Sequence, residues 1–391
     1  MRALPVIALT FLFLPCAARA AQLVRGPYTE NPGPDSAVVR WRVDTATVSW
    51  LAYGVAPGCN QFSAISPEAK EHAINLFGLD ISKEYCYRVY VPVDGQNAVV
   101  EAATGTFRTL RPAEETAFEF MAAGSQAGDN DSATTIGNQM LKFSPDFVLH
   151  TGDLSPDGLD ASADAGYFAP FSGMLRKAPF FIALGRRDYA PPKTSPKIAG
   201  LFLRKNYIPF HQMTPSLASP HYYAFTTANA LFIALDANKT VGVAQAPNLT
   251  PGSTQYEWLE AELAKSSADW KFILINTPVY SSGPSGINGA LAKDLAPLLE
   301  NYGVDMVFQG TDRDYERTKP LKGGAVSPDD GVIYVTLGGA GDAAQQQSPS
   351  DWSEKFLPLR AFGEGVVNAN SFTFTAYDEA GDAIDSVNIT K

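Results

Sequence analysis

Acidic and basic side chains recur where apolar, strand-length runs stop. Asp153 opens "GDLSPDG" after "DFVLHTG", and Arg186, Arg187 and Asp188 follow "PFFIALG". Asp312 and Arg313 stand in "GTDRDYER", directly after "VDMVFQG". Two more runs, "FEFMAAG" and "KFILINT", end at Ser125 and at Asn276-Thr277. A buried strand that ends in a glycine and a polar cluster is where α/β proteins gather their chemistry. Carboxylates collected there suit hard cations. Guanidiniums suit phosphate or sulfate, which they grip through a planar pair of N–H donors.

Other chemistry lacks its residues. No Gly-x-Ser-x-Gly, Cys-x-x-Cys or His-Glu-x-x-His occurs, and Ser125 in "AGSQAG" has no histidine to activate it. Of the four histidines, His72, His150, His211 and His221, none follows a strand tip. His150 lies inside an apolar run, where a satisfied core histidine is expected.

The tips need strands to hold them. Apolar runs at 118–124, 146–152, 179–185, 230–236, 271–277 and 304–310 alternate in part with helical patterns at 133–143, 255–266 and 289–303. Runs that are apolar on both faces, separated by amphipathic helices, predict a sheet covered on both sides. The chain returns to β character at 331–339 and 371–378. Before residue 110 the pattern is different: short alternating runs such as "SAVVRWRV", "TVSWLAYG" and "EYCYRVYVPV" are separated by "NPGPDS" and "GVAPG". They predict a small β-sandwich over 22–110, with 111–117 as linker and an α/β domain over 118–391.

With 391 residues, 45% of them hydrophobic, the chain can bury two cores. Its first 20 residues combine Arg2, an apolar stretch and Ala18-Arg19-Ala20, which predicts a signal peptide cleaved after Ala20 and a secreted or periplasmic protein. The net charge of −11 becomes −13 when Arg2 and Arg19 leave with that leader, which disfavours nucleic acid and anionic lipid as partners. No later apolar run is long enough to span a bilayer. In an oxidising compartment Cys59 and Cys86 can close a disulfide; two buried thiols are the alternative.

In order, spacing and flanking residues the five tips resemble the calcineurin-like metallophosphoesterases, and specifically the purple acid phosphatases. The start "LVRGPYTENPGPDSAVVRWR" resembles the fibronectin-III-like sandwich that precedes their catalytic domain. The resemblance implies an α/β fold, a two-sheet αββα sandwich behind an all-β fibronectin-III-like one, and a two-metal centre fed by the tips. Here the family's ligand positions are largely replaced. Ser125 stands for an aspartate, Pro156 for a tyrosine, and Arg186 and Arg187 for an asparagine and a histidine. Asn276 stands for a histidine, and Thr311 and Arg313 for the two histidines of Gly-His-x-His. Asp153 alone is kept. The expectation is therefore a secreted pseudophosphatase that needs no metal cofactor and acts as a binding or assembly protein. Its partner would be an exported protein or a small anion held by Arg186, Arg187 and Arg313. A plainer role for these arginines is to form salt bridges with Asp153, Asp188 and Asp312. The alternative is an active phosphoric-ester hydrolase with a non-standard or single-metal site, for which Asp129, Asp131, Asp157 and Asp160 could supply oxygens.

Overall fold

A computed structural model of the chain describes residues 19–93, 98–124, 130–157, 159–189, 221–238, 247–339 and 348–391. Residues 1–18, where the leader is expected, and Ser125, Asp129 and His211 lie outside the described residues.

The N-terminal part is an all-β sandwich organised by one long strand, Ser36–Val55. The first part of this strand pairs with Leu23–Glu30 and Ser66–Phe77, and its end pairs with Gln61–Phe62 and Glu84–Pro92. Val99–Arg108 adds to Glu84–Pro92. Every second residue along 37–43 points inward, as a half-buried strand requires. Val39, Trp41, Leu51, Tyr87, Val89 and Phe107 fill the core they define. Cys59 and Cys86 are disulfide-bonded, with 5.5 Å between their Cα atoms.

The rest of the chain is an α/β fold built on two sheets. In the first, Ala117–Ala123, Phe147–His150 and Phe180–Ile182 run parallel, and Ala361–Asn368, Ser371–Asp378 and Ala383–Thr390 extend it as an antiparallel meander. In the second, Ala230–Leu235, Trp270–Ile275, Met306–Gln309 and Ile333–Leu337 run parallel. Tyr223–Thr227 flanks one edge of that sheet, and Tyr315–Thr318 with Ser353–Leu357 the other, all antiparallel. The sheets meet through an aromatic layer. Phe120 lies 5.6 Å from Phe147 in its own sheet, and 5.4 Å and 5.8 Å from Phe232 and Phe308 of the opposite one.

Helices cover the outer faces. Asn130–Met140 sets Ala133, Ile136 and Met140 against the first sheet, and Thr254–Lys265 sets Leu259 and Leu263 against the second. The stretch that reads as one helix over 289–303 forms two, Gly289–Asp294 and Ala296–Asn301. Pro297 is the cause. It fits a first helical turn, but its ring and missing N–H forbid a continuous helix through it.

The two parts are fastened by buried charge. Arg25 of the sandwich donates to Asp164 at 2.5 Å and to Asp160 at 2.6 Å, and its guanidinium lies 4.2 Å from the centre of the Phe168 ring. Arg42 joins Asp160 at 2.5 Å. Tyr28 of the sandwich packs into the core on the outer face of the first sheet.

Candidate functional site

The parallel strands of each sheet end on the same edge, and hydrogen bonds knit their tips together. At the second tip the chain turns through Gly152 at φ 89° and Asp153 at φ 56°. A non-glycine residue there is strained unless its surroundings hold it. Asp188 does the holding. Its buried carboxylate accepts from the N–H groups of Asp153 at 2.9 Å, Leu154 at 2.8 Å and Gly185 at 2.7 Å. Burial, and then the neighbouring Asp153, push the Asp188 carboxyl up, against the downward pull of these N–H groups. In return Asp153 accepts the Arg187 N–H at 2.8 Å. Gly185 is required here, since a Cβ would lie 2.4 Å from the backbone nitrogen of Asp153.

The fourth tip joins the second, because the Asn276 amide donates to Thr151 O at 2.6 Å. The fifth joins the fourth through the Thr311 hydroxyl, 3.0 Å from Asn276 Oδ1, with Thr311 itself at φ 68°. Gly124, at the end of the first strand, packs against Thr151 and Leu337. Thus Asp153, Asp188, Asn276 and Thr311 form one connected edge. Arg187 and Arg313 are half-buried on it, Arg186 is exposed, and Pro156 is an exposed residue beyond it.

Several sequence expectations need correction. Asp188 and Asp312 do not pair with the arginines. Asp188 is taken up by backbone N–H groups, and Asp312 accepts from the Ser281 hydroxyl at 2.5 Å and the Ser285 hydroxyl at 2.6 Å. Of the four acids offered for a single cation, the three described ones do not act as a group. Asp160 is spent on Arg25 and Arg42, Asp157 caps Leu159 N–H at 3.0 Å, and Asp131 lies exposed in the first turn of a helix. His150 is a core residue: its Nδ1 accepts Gly152 N–H at 3.0 Å, and burial lowers its pKa to about 3, so it is neutral. His72 is likewise buried, 2.9 Å from the Ser66 hydroxyl.

Two features are not apparent in the sequence reading. His221 meets the buried Asp236 at 3.0 Å, and Asn238 donates to Leu184 O at 2.7 Å, so the end of Ala230–Leu235 is a sixth polar tip. The apolar run ending in Asp236 carried that signal. Asp314, two residues beyond Asp312, is fully buried and neither carboxylate oxygen has a hydrogen-bond partner.

The geometry agrees with comparison to known proteins. The calcineurin-like phosphoesterase family matches residues 126–310. Purple acid phosphatase 18 of Arabidopsis thaliana is 34% identical over 136 residues, which cover 32% of this chain and 30% of that protein. The purple acid phosphatase PPD1 from yellow lupin seeds superposes with a TM-score of 0.74 at 17% identity, over 95% of this chain and 74% of that one. The chain carries a calcineurin-like phosphoesterase domain and is similar to the purple acid phosphatases. GAP50, the anchor in the inner membrane complex of Plasmodium, shares the fold at a TM-score of 0.53 and 19% identity, over 71% of this chain and 89% of its own. The match to purple acid phosphatase 18 spans under a third of that protein's length, and the match to purple acid phosphatase 21 about half.

This similarity overturns the expectation that no cofactor is needed. The relatives belong to a metal-dependent family with a two-metal centre, and this points to a metal as cofactor. The tip residues do not fit that centre. Of the matched ligand positions only Asp153 is unchanged, and the described residues hold no group of three or more His, Cys, Asp or Glu that could hold an ion. Arginines at three of those positions oppose a dication.

Proposed function

We propose that this chain is an exported pseudophosphatase, a metallophosphoesterase body that binds a phosphate-like anion at Arg186, Arg187 and Arg313 without hydrolysing it. One observation carries the proposal: three guanidiniums stand at tip positions where the family has metal ligands, with Arg187 and Arg313 half-buried and Arg186 exposed on that edge. Guanidiniums offer planar paired donors that match two oxygens of a phosphate. The matched tip positions hold no histidine to protonate a leaving alkoxide, so binding is what remains of the chemistry. The leader-like N-terminus supports export. GAP50 has the same fold and is an anchor, which supports reading this body as one that binds.

Calorimetry with inorganic phosphate and with sulfate tests the anion site. Weak, salt-sensitive heats are expected for the wild type, because the edge opens to solvent. They should vanish when Arg186, Arg187 and Arg313 are all changed to alanine. Equal heats in both proteins would contradict the site. The second reading, a phosphoric-ester hydrolase, is favoured by the metal dependence of the relatives, and a turnover assay separates it.

A further inference from the structure

Gly283 is buried in the loop that follows the fourth tip, and the place where its side chain would begin is already approached from two sides. A Cβ there would lie 2.6 Å from Asp314 Oδ2 and 2.8 Å from Asp312 Oδ2. Both carboxylates face one point, which only glycine leaves open. Their circumstances differ. Asp312 has hydroxyl donors from Ser281 and Ser285 and the Ser285 N–H at 3.1 Å. Asp314 has no donor at all, although it is fully buried. A buried carboxylate without a partner is costly, and in a folded protein it calls for a ligand or a proton. Burial, then Asp312 and Glu316, push the Asp314 carboxyl up to about 8. The nearby Glu316 does not relieve it, being acidic itself and held by the Ser282 N–H at 2.7 Å.

We propose that Asp312 and Asp314, together with the hydroxyl oxygens of Ser281 and Ser285, bind one hard divalent cation of the calcium or magnesium class in the space beside Gly283. Both hydroxyls direct their hydrogens at Asp312, which leaves oxygen lone pairs for an ion. The donors are all oxygen, with neither imidazole nor thiolate, and such a set suits calcium, magnesium or manganese rather than zinc or copper. Ser285 is exposed, so the rim admits water and ions. Two carboxylates with neutral oxygens place the affinity in the weak range, about 10⁻⁴–10⁻³ M. The site uses residues 312 and 314, where the family has its histidines at the positions of Thr311 and Arg313. It is therefore independent of the arginine edge and stands or falls separately from it.

The test is thermal unfolding of the full chain after chelator treatment and dialysis, at about pH 8, where Asp314 is about half ionised and its proton raises the apparent Kd only about twofold. Calcium, magnesium and manganese chlorides are titrated separately. At least one should raise the Tm saturably, by about 2–4 °C at concentrations well above the Kd. Asp314→Asn should abolish the shift, and Ser285→Ala, a change at an exposed position that leaves folding intact, should move it to several-fold higher concentration. Arg187→Ala should leave it unchanged. The proposal is overturned if no ion shifts the wild type, or if Asp314→Asn responds as the wild type does.

Discussion

Asp188 shows how little of a residue's role is written in its neighbours along the chain. Next to Arg187 it reads as a counter-ion, but in the fold it accepts three backbone N–H groups from two different tips. Those donors exist only once the second and third strands end side by side, so no local pattern announces them. Asp188→Asn would turn an NH2 group toward one of these donors. A loss of about 1–3 kcal/mol is expected in urea unfolding, with faster amide exchange at Leu154; an unchanged midpoint would contradict the assigned role. His150 was legible, because an imidazole inside an apolar run has few alternatives to burial. Asp314 was not, since its lack of a partner depends on the loop carrying Gly283. Its folded pKa of about 8 lies above the ordinary carboxylate value. Between about pH 4 and pH 8 the folded chain therefore keeps a proton that the unfolded chain has lost, and stability falls as pH rises through that window. In chelator, the stability of Asp314→Asn relative to wild type should grow from about pH 5 to pH 9. Parallel curves would show that Asp314 does not titrate this way.

At the scale of elements, the long apolar strands were legible from length and pattern. The short edge strands were not. Ser353–Leu357 is half exposed and mixed in character, and Tyr315–Thr318 looks like the rest of a polar tip. Strands apolar on both faces suggested one sheet covered by helices. In the structure one face meets helices and the other a second sheet, and both environments demand the same residue types. Only the resemblance of the tips distinguished the two arrangements. Contacts between elements were also hidden: Asp160, a candidate ligand on the sequence, is part of the fastening between sandwich and α/β fold. Arg25→Ala should cost about 3 kcal/mol, near the low end for breaking a buried pair, because Arg42 still neutralises the two acids. Denaturation should also become less cooperative as the sandwich uncouples. A single transition with an unchanged midpoint would mean that Tyr28 and the backbone contacts suffice.

For the whole molecule, the family resemblance could be read from five ordered tips, and the structure gathers the described ones on one edge while the ligands at those tips, Asp153 apart, are replaced. Similarity to a metal-dependent family, an edge of arginines and the proposed cation pocket one residue out of step with the ligand positions together support the proposal of a scaffold that binds without hydrolysing. Most of the missing information is electrostatic: net charge is visible in a sequence, but which acid neutralises which base is not. The central claim is that the edge binds and does not hydrolyse. The most direct test is turnover of an aryl phosphate by the purified chain, supplied in turn with iron, zinc, manganese and magnesium, against a chelator control. Turnover no faster than the metal blank is expected in every case. Hydrolysis that a chelator abolishes and Asp153→Asn removes would contradict the account.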